Sequence, residues 1–307
     1  MITCGPYICK ETLGKGGYAT VKKAQHCETG MECALKIMKR SGASEAFEKQ
    51  VNNEVAIMKE LNHENIIKLL DFSDDAQYTL PDGRSMDVYY IALELAEHGE
   101  IFDIVAETGR FSEPTALFYF HQLVESLENV HKTGISHRDI KLENILLDSN
   151  LDIKLTDFGF AEFMEVSGSR KGTSGYIAPE MHYTKKFMTQ PLDIFALGIV
   201  LFILIKGSPP FMHAKGTDPH YRLFVTNPEA FWKAHFKRIK DYFPSNELIE
   251  LLTTMLSPEP ESRITLAEIK ESAWYTNSNH ALPTKEDVIE DMAQRLSQIE
   301  SNRSSEH

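Results

Sequence analysis

The run IFALGIVLFILI, Ile194 to Ile205, constrains this chain more than any other stretch. A segment with no polar residue has no face to show to water, so it must be covered on all sides. Spanning a bilayer takes about 20 apolar residues, and this run is shorter, closed by Asp193 and Lys206. It therefore reads as a core helix. Helical patterns lie on both sides of it in sequence: EPTALFYFHQLVESLENVHK (113–132) before, NELIELLTTML (246–256) and LAEIKES (266–272) after.

The first third of the chain follows a different rhythm. YICKETLG, YATVKKAQ and ECALKIM are short apolar runs broken by glycines, which predicts three antiparallel strands. EAFEKQVNNEVAIMKEL places Phe47, Val51, Val55 and Met58 at spacings of three and four, a helix. IIKLLDFS and DVYYIALEL are two further strands, joined across the Pro-Asp-Gly turn of TLPDGRS. Strands followed by helices predict two lobes, β-rich to about Ala96 and α-rich beyond. From Thr276 the strand signals stop. Val288, Met292, Leu296 and Ile299 are helically spaced in a tail with three basic and six acidic residues. A solvated or loosely docked helix near 286–301 is expected, too acidic for a calmodulin target.

Lys and Arg number 32 against 45 Asp and Glu, a net charge of −13, which argues against a nucleic-acid surface and suits a basic protein partner. Cys4, Cys9, Cys27 and Cys33 match no zinc spacing and read as reduced thiols. MITCGPY lacks a signal-peptide pattern and a Gly at position 2. The expectation is a soluble, cytoplasmic chain with access to the nucleus and no membrane partner.

Polar chemistry concentrates in three places. In LGKGGYATV, Gly14 and Gly16 stand on a turn between two strands, ahead of Val21, where amides without Cβ cover can close over phosphate oxygens. A glycine-rich hairpin is, by itself, more often only a hairpin. Lys36 in CALKIM lies on a half-buried strand and needs a partner, which Glu54 in the lobe's long helix can supply. SHRDIKLEN packs Asp139, Lys141 and Asn144 into one loop, and LTDFGFAE follows with Asp157. Asn144 and Asp157 offer the carbonyl and carboxylate that a hard divalent cation takes beside phosphate oxygens. Asp139 is then free to accept a hydroxyl proton, and Lys141 can stabilise charge on a transferring phosphoryl group.

In order and spacing these motifs resemble the eukaryotic-type protein kinases, from about Tyr7 to Trp274. The resemblance implies an α+β, bilobal fold: a small antiparallel β lobe with one long helix, a larger mainly α-helical lobe, and ATP in the cleft between. The catalytic domain is expected over 7–275, with lobes of about 7–96 and 97–275, and the tail over 276–307. By resemblance GKGGYATV covers the phosphates, and Lys36 binds them while paired to Glu54. HRD supplies Asp139 as base, DFG supplies Asp157 as the main Mg²⁺ ligand, with Mn²⁺ as a substitute, and APE (Ala178, Pro179, Glu180) closes the activation segment. Glu180 should pair with Arg263, and Asp193 should brace the catalytic loop. Adenine is expected against the backbone of Glu94 to Ala96, behind Leu93, with Glu100 near the ribose. Leu13, Lys15, Gly17, Val21, Ala34 and Leu146 complete the implied nucleotide site. Ala19 departs from the pattern, standing where the loop motif has a third glycine. HAKGTDPHYRLFVTNPEAFWKAH (213–235) is longer than in simple members and reads as a surface insertion, with a docking surface as the alternative.

Thr173 and Lys141 match the serine/threonine type, and the wording of HRDIKLENILLD and GSPPF is similar to the calcium/calmodulin-dependent group. Phe160 resembles kinases that favour serine. Glu100 and Glu143 resemble positions that read basic residues upstream of the phosphosite, although Glu143 reads equally as a surface carboxylate. Ile203, where strongly Arg-directed relatives carry Glu, argues against a strict double-Arg requirement. Arg138, before the catalytic Asp, implies control by a phosphate on the activation segment from an upstream kinase, with Ser169 the candidate and Ser167 the alternative. A pseudokinase scaffold and a small-molecule phosphotransferase are the competing readings. The presence of Lys36, Asp139 and Asp157 opposes the first; APE, Asp193 and Arg263 oppose the second.

Overall fold

The computed structural model describes residues 1–163, 165–276 and 283–305 of the 307. Strands β1 (Ile2–Cys4), β2 (Tyr7–Lys15), β3 (Ala19–His26) and β4 (Glu32–Lys39) precede helix α1 (Glu45–Glu60), and β5 (Leu69–Thr79) and β6 (Ser85–Leu93) follow it. They close an antiparallel barrel in the order β1-β2-β3-β4-β6-β5, with β5 returning to β1. The short first strand was not expected from sequence. Lys36 sits mid-sheet, opposite Val21 on β3 and Ile91 on β6. Ser44 caps α1, its hydroxyl accepting from the Phe47 N–H, and the buried face is Val51, Glu54, Val55, Ile57 and Met58. One carboxylate thus rides on an otherwise apolar stripe.

The second lobe begins with β7 (Gly99–Glu100) and helices α2 (Ile101–Thr108) and α3 (Glu113–Lys132). Next come β8 (Ile145–Leu147) and β9 (Ile153–Leu155), which with β7 make a small sheet in the order β7-β8-β9. β10 (Val166–Ser167), α4 (Glu180–Tyr183), β11 (Phe187–Met188) and α5 (Gln190–Lys206) follow. The lobe closes with α6 (Pro219–Thr226), α7 (Pro228–Phe236), α8 (Asn246–Met255), α9 (Leu266–Glu271), α10 (Ala273–Thr276) and α11 (Lys285–Ser305). The expected two-lobed α+β architecture is the one observed. Backbone bonds from Ile67 N–H to Leu155 O and from Leu155 N–H to Asn65 O, each 2.9 Å, tie the small lobe to β9.

Helix α5 is the axis of the large lobe, buried without a break from Leu192 to Ile205. Its one interior glycine has a packing reason: a Cβ on Gly198 would lie 3.0 Å from Leu256 Cδ2 and 3.1 Å from Met255 Cβ. Gly207, at φ +79°, ends the helix in the left-handed conformation that glycine adopts at least cost. Because Asp193 lies in the first turn of this rigid helix, its carboxylate is a fixed point for the loops around it.

One expectation fails here, and a second is narrowed. The 213–235 stretch is not a surface insertion: it forms α6 and α7, whose Tyr221, Phe224, Phe231, Trp232 and Phe236 are buried. Asp218 and Asn227 cap these helices ahead of Pro219 and Pro228, and their rings pack on Phe202 and Phe211. Of the two readings of the tail, solvated or loosely docked, α11 takes the docked one. Val288, Met292 and Ile299 are buried. Arg295 donates to the Gly109 and Arg110 carbonyls at the open end of α2, and Asp291 accepts from Thr115 on α3. Apolar area and unpaired helix-end carbonyls together explain the docking.

Candidate active site

A cleft of about 520 Å³ lies between the lobes. Leu13, Gly14, Lys15, Gly16, Val21, Ala34 and Lys36 line it from the small lobe, Leu93, Glu94 and Ala96 from the connection, and Glu100, Leu146 and Asp157 from the large lobe. Gly17 is the exception among the expected nucleotide-site residues, and Asp139, Lys141, Asn144 and Thr173 lie outside this lining as well. Gly17 lies on the outer side of the β2–β3 tip, in a separate depression with Tyr18, Lys39 and Tyr78. The turn is closed by Gly16 N–H donating to Ala19 O at 2.9 Å, which carries the chain past the tip before Gly17 can reach the cleft. Met58 and Ile67 also line the cleft, and their sequence signal was only that of apolar core positions. The Glu94 N–H is spent on Lys68 O at 3.0 Å, so what Glu94 can offer a ring in the cleft is its carbonyl.

Lys36 Nζ lies 2.6 Å from Glu54 Oε1 and 3.2 Å from Asp157 Oδ1. Burial works against the lysine charge, but the two carboxylates outweigh it and hold Lys36 above the ordinary lysine range. Burial likewise opposes ionisation of Asp157, and Lys36 outweighs it, keeping the group below the usual carboxylate range. Both are therefore charged at neutral pH. The Asp157 side chain is 45% exposed, against 6% for Glu54. One partner of Lys36 is sealed in the lobe and the other opens to the cleft.

In a neighbouring depression whose floor includes Asp139 and Thr173, Thr173 Oγ1 donates to Asp139 Oδ1 at 2.8 Å and accepts from Lys141 Nζ at 2.9 Å. Lys141 Nζ also lies 2.8 Å from Asp139 Oδ2. Asn144 Nδ2 donates to Asp139 O at 2.8 Å and to Oδ2 at 3.1 Å, which fixes the amide orientation and leaves its carbonyl oxygen for another ligand. The loop itself hangs on Asp193, whose carboxylate accepts from His137 N–H at 2.8 Å and Arg138 N–H at 2.7 Å. His137 Nδ1 accepts from Asp139 N–H, so the proton sits on Nε2 and is donated to Thr156 O. Arg138 and Asp157 stand at φ +66° and +62°, a region that non-glycine residues rarely occupy, and these contacts hold them there.

The activation segment closes over this floor. Glu180 and Arg263 form a buried bidentate pair, Nη1–Oε1 2.7 Å and Nη2–Oε2 2.9 Å. The side chain of Arg138 is fully buried, beside Glu162, Ser167 and Ser169. Ser167 is itself buried, its oxygen accepting from Arg138 and from the Ser169 N–H, while Ser169 is half-buried. Glu162 ends the LTDFGFAE stretch and carries no periodic signal in the sequence.

Among the described residues no helix is long and apolar enough to cross a membrane. The profile of the protein kinase domain matches residues 7–275. Serine/threonine-protein kinase SIK1 of Mus musculus is 36% identical over 273 residues, covering 88% of this chain and 32% of that protein. Serine/threonine-protein kinase SIK2 of Gallus gallus has the same identity and coverage of both chains. CBL-interacting serine/threonine-protein kinase 8 of Arabidopsis thaliana is 34% identical over 276 residues, 88% of this chain and 58% of that one. The chain thus spans a third of the animal relatives' length and just over half of the plant relative's.

Proposed function

The chain belongs to the protein kinase family, and on that premise we propose that it transfers the γ-phosphate of ATP to serine and threonine hydroxyls of proteins. The observation that carries this reading is the Asp139–Thr173–Lys141 triangle, closed by Asn144 and hung from Asp193. The donor set fits ATP with Mg²⁺. Leu13, Val21, Ala34 and Leu146 supply apolar walls for a planar base, and Lys36 supplies charge for phosphates. Asn144 Oδ1 and the cleft side of Asp157 are the two donors for the cation, and Mg²⁺ binds through one or two carboxylate-type ligands plus phosphate oxygens. Mn²⁺ accepts the same donors. When bound, the cation draws negative charge off the phosphate oxygens.

The protein's own residues do the rest. Asp139 accepts the proton as the substrate oxygen bonds to the γ-phosphorus, while the bond to the β–γ bridging oxygen breaks and its electron pair leaves with ADP. Lys141, held by Asp139 and Thr173, lies beside the developing charge. The acidic mouth of the cleft, Glu100, Asp103 and Glu143, supports a preference for basic residues upstream of the phosphosite. Burial, with Asp103 and Glu143 nearby, raises the Glu100 carboxyl above its ordinary range, so a cation brought there is stabilised. Control is proposed to converge on Arg138. A phosphate added to Ser169 by an upstream kinase and a carboxylate already in place are the two ways to order the segment around it.

The test is transfer from γ-labelled ATP to peptides bearing Ser, Thr or Tyr behind basic residues, with and without Mg²⁺, and with Asp157→Ala as control. The proposal expects transfer to Ser and Thr that is lost in the control. Transfer to Tyr alone, or none from a chain that binds ATP, overturns it.

A further inference from the structure

We propose that Glu162 is the resident counter-charge of Arg138, a positioning residue that orders the activation segment with no phosphate on Ser167 or Ser169. The proposal deepens the kinase reading and rests on it. Three observations carry it.

First, the Arg138 side chain is 0% exposed, and its Nη1 lies 2.5 Å from Glu162 Oε2. A guanidinium out of water needs an anion, and Glu162 is the carboxylate that meets it. Second, Glu162 is not delivered by a mobile loop. Its N–H donates to Ser136 O at 3.1 Å and its carbonyl accepts from Ser136 N–H at 3.0 Å, an antiparallel bridge two residues before Arg138. Third, Arg138 spends its remaining reach on the segment itself, donating to Ser167 Oγ and to the Ser169 carbonyl, while Lys171 lies 3.5 Å from the other oxygen of Glu162. Backbone, carboxylate and segment are thus linked to the residue next to Asp139.

A phosphate on Ser169 brings about −1.5 to −2 charge to a place where Glu162 already stands. Repulsion between the two anions offsets part of what Arg138, Arg170 and Lys171 can offer it. Ser167 is a poorer site still: its buried hydroxyl oxygen already accepts two hydrogen bonds. The charge that orders this segment is genetically encoded.

The experiment uses the full chain treated with a broad-specificity phosphatase, the loss of phosphate checked by mass. Treated wild type and Ser169→Ala should agree with untreated wild type in kcat within about twofold. Glu162→Gln should lower kcat by about tenfold to a hundredfold, because the loop carrying Asp139 loses its alignment. Glu162→Asp should restore most of it, which a filler of space would not do. Trypsin gives a readout independent of transfer: cleavage after Arg170 and Lys171 should be slow in treated wild type and several times faster in Glu162→Gln. A treated wild type that is silent and regains activity with phosphate on Ser169 overturns the proposal. So does a Glu162→Gln chain that matches wild type in kcat and in cleavage. If no form transfers phosphate, the kinase reading has failed, and the cleavage rates still decide whether Glu162 orders the segment. If Glu162→Gln does not fold, treated wild type and Glu162→Asp decide.

Discussion

Two buried arginines of the large lobe each meet a carboxylate, and they are not equivalent. Arg263 spends its guanidinium fully: two bonds to Glu180, two to the Ser257 carbonyl through Nε and Nη2, and one to the Pro191 carbonyl, over the ring of Phe195. Arg138 is as deeply buried, yet among the described residues its Nε has no partner, and the contact with Glu162 is a charge pairing off the hydrogen-bonding direction. A fully satisfied pair has one arrangement and acts as a brace. A partly satisfied one can exchange partners at modest cost, which is what an ordering device needs. Lys36 extends the comparison into the cleft. It has one sealed carboxylate and one open to solvent, and in the proposed mechanism the open one is a ligand of the cation.

Arg263→Ala should break the brace. Leaving Glu180 charged and buried costs about 3–5 kcal/mol of folding stability, read by urea denaturation, and a small loss there would dissolve the distinction. Lys36→Met should lose both: phosphoryl transfer down by about a hundredfold to a thousandfold, and a lowered unfolding midpoint as well, because the sealed Glu54 is left without its cation. An unchanged midpoint would show that the cleft pair, unlike Arg263–Glu180, is no brace.

How these groups reveal themselves in sequence differs for physical reasons. Lys36 and Glu54 were legible because an apolar strand cannot bury a lysine alone. Asp139, Lys141 and Asn144 were legible because their density on one loop has no structural use. The pairing of Glu180 with Arg263 came only through resemblance, since 83 residues separate them. Glu162 lay in plain view beside Asp157, but one glutamate on a loop carries no periodic signal; its meaning comes from a bridge to Ser136 that only the fold creates. Whether α11 docks or lies in solvent stays open in the sequence for a similar reason. The stripe from Val288 to Ile299 was visible, whereas the carbonyls of Gly109 and Arg110 that hold Arg295 belong to another helix's end. In the 213–235 stretch the capping residues and aromatic spacing were present, and reading it as an insertion hid them.

The smaller effects lie at the surface and in a group with no countercharge. Glu100→Gln with Glu143→Gln should raise KM for a basic peptide about fivefold, the scale of an exposed charge pair of roughly 1 kcal/mol, and leave KM for a neutral peptide unchanged. Among the described residues half-buried His235 has no carboxylate beside it and keeps only a backbone hydrogen bond at Pro210. Burial, seconded by His220 and Lys206, pushes its ring down to about 4. On unfolding the ring regains its ordinary affinity near 6.5, so between these values the unfolded chain holds the extra proton. Stability from this group is complete above pH 6.5, falls as pH drops toward 4, and falls no further below that. His235→Gln should flatten that part of the denaturation profile, and an unchanged profile would place the loss elsewhere.

In the proposed mechanism the large-lobe network holds Asp139 as a proton acceptor. Asp139→Asn keeps the size of the side chain and removes the basic oxygen. ATP affinity in the presence of Mg²⁺, read by calorimetry, should stay within about twofold of wild type, while single-turnover transfer to a serine peptide falls by about a hundredfold or more. Transfer at the wild-type rate, or a loss of nucleotide affinity equal to the loss of rate, would contradict it.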